Sequence, residues 1–208
     1  MTQEVVWDKI ARSWQSYRQR PTREVSKFLE DKNGKVLDLG CGSGRHGPNS
    51  FSEMMIKEKN MLDFYGVDFS EKLLDLAWGS GYVELKKSEV FDISYDDGFF
   101  DAVVFSRVLH CVDSVEKRRK SLEEVYRVLK EGGEALVSVW GRGQKRLRNV
   151  DKETMISWSV GDEKVLRYTY VYDFDELKRE LEDVGFRVLR SWEDGCVGFV
   201  VLKELIIF

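Results

Sequence analysis

The sequence predicts an α/β fold, a mostly parallel sheet with helices on both faces, and three observations carry that prediction. Short apolar runs alternate with amphipathic segments along most of the chain. The first apolar run passes directly into a glycine-rich turn. The composition is 42% hydrophobic and 34% charged with two prolines, which excludes a disordered or fibrous chain. At 208 residues a single domain, 1–208, with one core is expected.

The elements follow in order. Trp7, Ile10, Ala11 and Trp14 recur at helical spacing, and a second helix runs from near Pro21, a good helix starter, to Leu29. Together they make an N-terminal helical cap, 1–32. Lys35 to Leu39 is a strand, Ser50 to Lys59 reads as helix, and Leu62 to Val67 is a strand ending in Asp68. Ser70 caps a helix containing Leu73, Leu74 and Ala77. Tyr82 to Leu85 and Glu89 to Phe91 form a more polar strand region, which suits a sheet edge.

Phe99 to Phe105 is a buried strand, and Val115 to Leu129 is a helix that Gly132-Gly133 ends before the strand Ala135 to Trp140. Met155 to Val160 and Val165 to Val171 pair as a hairpin over Gly161-Asp162, within an insertion of about 141–172. A helix from Asp175 to Val184 precedes the strands Phe186 to Trp192 and Val197 to Leu202, an antiparallel finish to the sheet. No internal repeat interrupts this order.

Several classes are excluded or disfavoured. The chain starts without a basic-then-apolar leader and holds no stretch of membrane-spanning length, so a cytoplasmic protein with no membrane partner is expected. Cys41, Cys111 and Cys196 are odd in number and scattered, with two histidines, which fits neither a disulfide framework nor a metal site. The net charge of −4 disfavours indiscriminate nucleic-acid binding, yet two segments are locally basic. Arg12, Arg18, Arg20 and Arg23 form one, and Arg142, Lys145, Arg146, Arg148 and Lys152 form the other.

The chemistry centres on Val36-Leu37-Asp38-Leu39-Gly40-Cys41-Gly42-Ser43-Gly44, where backbone after the first strand must pass close to a ligand. The G-x-G-x-G spacing differs from the G-x-G-x-x-G that seats a dinucleotide pyrophosphate, which argues against NAD. Asp68, at the end of the second strand, is placed to accept hydrogen bonds from both hydroxyls of a ribose. The Cys41 side chain has no basic neighbour in the sequence and reads as packing within the turn.

These features, over roughly Lys35 to Trp140, resemble the class I S-adenosylmethionine-dependent methyltransferases. The resemblance implies a Rossmann-like, seven-stranded, mostly parallel sheet with an antiparallel last strand, and S-adenosylmethionine as cofactor. It implies a cofactor site of Asp38, Gly40, Cys41, Gly42, Gly44, Asp68, Phe69 and Ser106. Aligned on Phe100-Asp101, the adenine-binding Asp of the family is Glu89 here, with Val90 offering backbone and Asp92 as the alternative acid.

A narrower resemblance rests on Trp7-Asp8-Lys9-Ile10-Ala11, Ser16 to Pro21, Val108-Leu109-His110, Val139-Trp140-Gly141 and Lys164 to Tyr170. These segments are similar to the carboxyl O-methyltransferases of tRNA wobble 5-carboxymethyluridine. The family's aromatic after the proline is Thr22 here, and the residue after His110 is Cys111 where the family has His. The resemblance implies a tRNA anticodon-loop substrate and a small zinc-binding activator protein that adds a strand at an edge near 82–91.

A carboxylate acceptor is already ionised at neutral pH, so such a reaction needs positioning more than a general base. Arg18 is the candidate to hold it, and His110 and Trp140, at the C-terminal ends of strands, are candidates to hydrogen-bond and to stack on the uridine. The alternative acceptor is a small metabolite, and a cofactor-binding subunit without turnover is the third reading. The terminal Leu205-Ile206-Ile207-Phe208 is an apolar run expected to tuck into the core.

Overall fold

The computed structural model of the protein describes residues 2–51 and 61–205. Helix α1 (Gln3–Tyr17) starts at Thr2, whose side chain accepts from the Val5 amide, and buries Val6, Trp7, Ile10 and Ala11 on one face. Helix α2 (Arg23–Leu29) takes Thr22 as its N-cap. Pro21 therefore lies before the cap instead of opening the helix, because Thr22 adopts the extended backbone that an N-cap requires.

Strands β1 (Gly34–Leu39) and β2 (Leu62–Asp68) flank a region whose expected helix, Ser50 to Lys59, lies outside the described residues apart from a short turn at Pro48–Ser50. Helix α3 (Glu71–Ala77) is capped by Ser70, which accepts from the Leu73 amide at 3.2 Å. Strand β3 (Glu84–Lys87) is short, and Glu89 to Phe91 is turn and not strand. The Asp92 amide donates to the Glu89 carbonyl there, which closes the turn.

Strand β4 (Phe100–Ser106) leads to α4 (Val115–Val128), and β5 (Leu129–Trp140) begins at once. The helix thus ends by Leu129 turning extended, not at Gly132-Gly133. The glycines sit where the β4–β5 register jumps from Phe100↔Leu129 to Ala102↔Glu134, and Gly132 takes φ +77° to make that bulge. Strands β6 (Glu153–Val160) and β7 (Glu163–Tyr170) form a separate antiparallel hairpin. Helix α5 (Phe174–Val184), β8 (Phe186–Glu193) and β9 (Cys196–Lys203) complete the described chain. Of the terminal apolar run, Leu205 is exposed and residues 206–208 lie outside the described residues.

The sheet is seven-stranded in the order β3-β2-β1-β4-β5-β9-β8, with β9 antiparallel to both neighbours. Alternation along each strand sends neighbours to opposite faces. Leu37, Val103 and Val137 meet α4 and α5 through Leu122, Val125 and Leu181, whereas Val36, Val104 and Leu136 meet α2 through Val25, Phe28 and Leu29. Phe28 is fully buried, and its truncation to alanine costs about 3–5 kcal/mol by comparison with similar cores.

The two N-terminal helices therefore do different work: α2 is a layer of the sheet, and α1 joins α3 and the hairpin. Ile10 and Ala11 pack with Leu73 and Val165, Ser70 donates to Asp8 at 2.6 Å, and the Trp158 indole donates to Ser13 at 2.9 Å. An ion pair between Lys9 and Glu163 adds to the same contact. Among the described residues no helix is long and apolar enough to cross a membrane, and no group of three His, Cys, Asp or Glu is arranged to hold a metal ion.

Candidate functional site

The C-terminal ends of β1, β2, β4 and β5 open into a cleft of about 410 Å³, bounded on its far side by α1 and by Arg167 of β7. This is where a parallel sheet leaves room, since the chain departs in opposite directions on either side of β1 and β4. The glycine turn begins as the Gly40 and Cys41 amides both donate to the Val67 carbonyl, at 2.7 and 2.9 Å.

The three glycines have three different reasons. All take positive φ: +72° at Gly40, +55° at Gly42 and +82° at Gly44. A Cβ on Gly40 would lie 2.5 Å from a Val108 methyl, and one on Gly44 would lie 2.4 Å from the Ser80 hydroxyl. A Cβ on Gly42 would meet nothing within 4 Å. The expectation that all three make room for a ligand is therefore corrected. Gly40 and Gly42 line the cleft, but only at Gly42 is the space itself open, and Gly44 is packed against Ser80 and does not line it.

Asp68 lines the cleft and is buried. Its two oxygens accept from the Gly42 and Ser70 amides, each at 2.9 Å, so the acid fixes the turn as well as facing the cleft. Burial outweighs those amides and pushes its pKa up to about 6. Asp38, expected in the same set, is fully buried and does not line the cleft. Tyr82 donates to it at 2.6 Å and His46 Nδ1 lies 3.6 Å away, so it buttresses the turn from behind. The family resemblance assigned it to the ligand, and the inward alternation of β1 turns it to Tyr82.

Cys41, Phe69, Glu89, Val90 and Ser106 all line the cleft. The Cys41 thiol is held well above its ordinary pKa by burial and by Asp68 and Asp38, which suits packing and not reactivity. Glu89 faces the cleft with its pKa raised by partial burial, while Asp92 is exposed outside it.

At the other end of the cleft His110 stacks on Trp140, centroids 4.6 Å apart and planes 27° apart. Both are buried, and His110 Nδ1 has no hydrogen-bond partner. Burial first, then the Arg167 charge, bring the His110 pKa down to about 3, so the ring is neutral. Arg18 lies 4.8 Å over the Trp14 ring at the mouth, and its pKa is lowered by burial and by Arg107 and Arg146. The structure thus brings Arg18, His110 and Trp140 to one cleft.

Among the lining residues that the sequence reading did not assign to the site are Arg45, His46, Arg107 and Arg167, the last within the Lys164 to Tyr170 segment. Arg107 has φ +61°, uncommon for a residue with a side chain, and pairs with Glu24 at 2.7 Å. His46 Nε2 is buried without a partner. Arg167 is fully buried below the rings of Trp7, Trp14, Trp140 and Trp158, at 4.9–5.5 Å. Its signal was present, since Val165, Arg167 and Thr169 share the inward face of an alternating strand.

The two basic segments meet here. Burial is the main cause that lowers the Arg167 pKa to about 10, and the charges of Arg146 and Arg18 add to it; Arg146 also lowers the pKa of Arg18, so the three guanidiniums lie near one another. Part of the second segment is neutralised, because Arg142 and Lys152 pair with Asp173, and Lys152 with Glu176. Lys145, Arg146 and Arg148 remain exposed.

The family model for a methyltransferase domain matches residues 37–137. A protein of Encephalitozoon cuniculi with a provisional methyltransferase name is 28% identical across 95% of this chain and 93% of its own length. The tRNA (carboxymethyluridine(34)-5-O)-methyltransferase of Arabidopsis thaliana is 30% identical over 77% of this chain, which spans 38% of that longer protein. Among solved structures, the methyltransferase in a complex with the Haloferax volcanii Trm112 methyltransferase activator superposes with a TM-score of 0.70, at 14% identity, over 99% of this chain and 98% of its own. The cleft suits an adenosylated sulfonium: bare peptide at Gly42 gives close approach, and the buried Asp68 carboxylate offers an acceptor to a sugar. Residues 37–137 match a methyltransferase domain, and with the sheet order and the cleft this gives the chain the Rossmann-like fold of S-adenosylmethionine-dependent methyltransferases, with S-adenosylmethionine as its cofactor.

Proposed function

We propose that the chain methylates the carboxylate of 5-carboxymethyluridine at the wobble position of tRNA. The observation that carries this is the neutral His110 stacked on Trp140 inside a cleft rimmed by arginines. Such a site attracts an anionic acceptor and sets aromatic rings beside a base, and His110, with its pKa at about 3, is not a strong general base. A carboxylate asks for none, being ionised at neutral pH.

When bound, S-adenosylmethionine supplies an electrophilic methyl group. The residues of this chain provide the rest. Asp68, Gly40, Cys41 and Gly42 hold the nucleoside end, with Phe69, Glu89, Val90 and Ser106 around it. Trp140 and His110 receive the uracil ring, and neutral His110 offers a hydrogen bond without competing for the positive methyl donor. Arg18 adds charge at the mouth, and Lys145, Arg146 and Arg148 reach the phosphates of a single-stranded loop. The cap helix α1 and the β6–β7 hairpin, within the insertion of about 141–172, close over the acceptor and exclude water.

The relative from Arabidopsis supports the acceptor, and the Haloferax neighbour supports an activator partner at the polar edge strand β3. Work on tRNA agrees with a cytoplasmic location. The test is incubation with methyl-labelled S-adenosylmethionine and total tRNA, with and without a zinc-binding activator, followed by nucleoside analysis. Label is expected in the methyl ester of 5-carboxymethyluridine. Label confined to other nucleosides, or to small acids alone, overturns the proposal.

A further inference from the structure

Among the described residues, Arg167 is a buried cation without a counter-ion. Its side chain is 1% exposed, and Nε and Nη2 have no hydrogen-bond partner. Among the described residues it forms no ion pair, and its surroundings are the four indoles of Trp7, Trp14, Trp140 and Trp158. Indole faces attract a guanidinium, but they give no acceptor to its N–H groups. A buried charge in that state is strongly unfavourable unless something else completes it.

The other fully buried arginine shows the contrast. Arg118 leaves Nε without a partner, but its Nη1 donates to the Val112 carbonyl at 3.0 Å and to the Tyr168 hydroxyl at 3.2 Å, and it does not line the cleft. Arg118 belongs to the fabric of the fold. Arg167 lines the cleft, so an anion entering the cleft can reach its guanidinium.

Two anions are conceivable by chemistry, a carboxylate on the acceptor and the amino-acid carboxylate of the cofactor. Position separates them. Arg167 lies against Trp140, at the end of β5, and that ring carries His110 on its stack. Gly42 and Asp68, the nucleoside end, follow β1 and β2.

We infer that Arg167 is the residue that binds the carboxylate of the methyl acceptor, a role that rests on the carboxylate acceptor proposed for this cleft. Arg18, at the mouth, then serves the approach of the substrate and not the grip on its acid. The planar fork engages the carboxylate while the indole box fixes its plane, so one oxygen lone pair stays directed away from the arginine. The methyl ester formed is uncharged, and Arg167 keeps no hold on it. Acid is drawn in and ester is released by the same side chain.

The test reads binding and needs no turnover. Indole fluorescence reports titration of 5-carboxymethyluridine, its methyl ester and its amide into protein saturated with S-adenosylhomocysteine. Wild type is expected to prefer the acid by at least about tenfold, the size of a charge-assisted hydrogen bond. Arg167→Met is expected to erase that preference, Arg167→Lys to keep part of it, and S-adenosylhomocysteine affinity, measured calorimetrically, to stay within about twofold in both. Arg167→Met removes an unpaired buried charge, so it should melt no lower than wild type. Lysine keeps the charge if methionine disturbs the box.

A preserved acid preference in Arg167→Met overturns the inference. So does a loss of S-adenosylhomocysteine affinity with the preference intact, which moves Arg167 to the cofactor. If wild type methylates no tRNA but still prefers acid over amide through Arg167, the tRNA proposal falls and Arg167 stands. If wild type methylates tRNA yet shows no acid preference, the reverse holds.

Discussion

Replacing Gly42 with alanine separates ligand space from folding space in the glycine turn. At φ +55° an L-residue is strained by about 1–2 kcal/mol, and the new Cβ meets no protein atom within 4 Å. For a domain of this size that strain lowers Tm by about 2–8 °C. The methyl instead fills cleft volume that the cofactor needs, and overpacking of that kind costs about 1–3 kcal/mol, a loss of about 5- to 150-fold in affinity. Gly40→Ala supplies the control. Its Cβ would lie 2.5 Å from Val108, so strain and overpacking fall together on the folded protein, about 2–5 kcal/mol. Calorimetric melting and titration with S-adenosylhomocysteine measure both quantities. Gly42→Ala binding the cofactor as wild type does, or melting as low as Gly40→Ala, would refute the assignment of open space at Gly42 to the ligand.

Three further outcomes follow from charge. The Asp68 carboxyl has its pKa pushed up to about 6 from 3.8, so its contribution to stability is complete below about 4 and is lost as pH rises through 6. Ribose hydroxyls prefer the ionised form, so cofactor affinity should fall as pH drops through about 6, and Asp68→Asn should bind weakly with a flat profile in calorimetric titrations. His110 has the opposite sign: lowered to about 3 from 6.5, it contributes stability above 6.5 that is lost as pH falls towards 3, and His110→Gln should reduce the drop in Tm between pH 7.5 and 5. An unchanged drop would show that His110 does not stay neutral. Lys145→Gln and Arg148→Gln, both exposed, should each lower the log-log salt slope of tRNA binding by about 0.7 while leaving S-adenosylhomocysteine binding alone. Slopes equal to wild type would make this segment a solvated loop.

Much of the fold was legible because each strand's period and each helix's face report burial locally. Val36 and Leu37 go to opposite faces for the same reason that the sequence marks them as strand. Ser70 caps α3 as its residue type dictates. The errors fell where a local signal had two structural meanings. Gly132-Gly133 reads as a helix stop, but the stop had already come at Leu129 and the glycines serve a bulge. Gly44 reads as ligand space, but Ser80, thirty-six positions later and beyond α3, fills it. No spacing rule within the turn distinguishes a glycine that faces a ligand from one that faces a distant side chain.

The same limit governs the site. Asp68 was found because its place at a strand end is a topological fact. Asp38 sits on a neighbouring strand with equal promise, and only the approach of Tyr82 decides that it is a buttress. Arg167 lies at the far extreme. Within its own strand it is one cation on an apolar face, which a sequence reader explains as an edge or a pairing with some acid elsewhere. Its meaning comes from indoles at positions 7, 14, 140 and 158, and from a carboxylate that none of the surrounding elements provides. A missing partner is a property of the whole packed neighbourhood, so it is visible only once every element around the residue has been placed. That is why the alternation of β7 marks Arg167 as inward-facing but not as a cation in need of a partner.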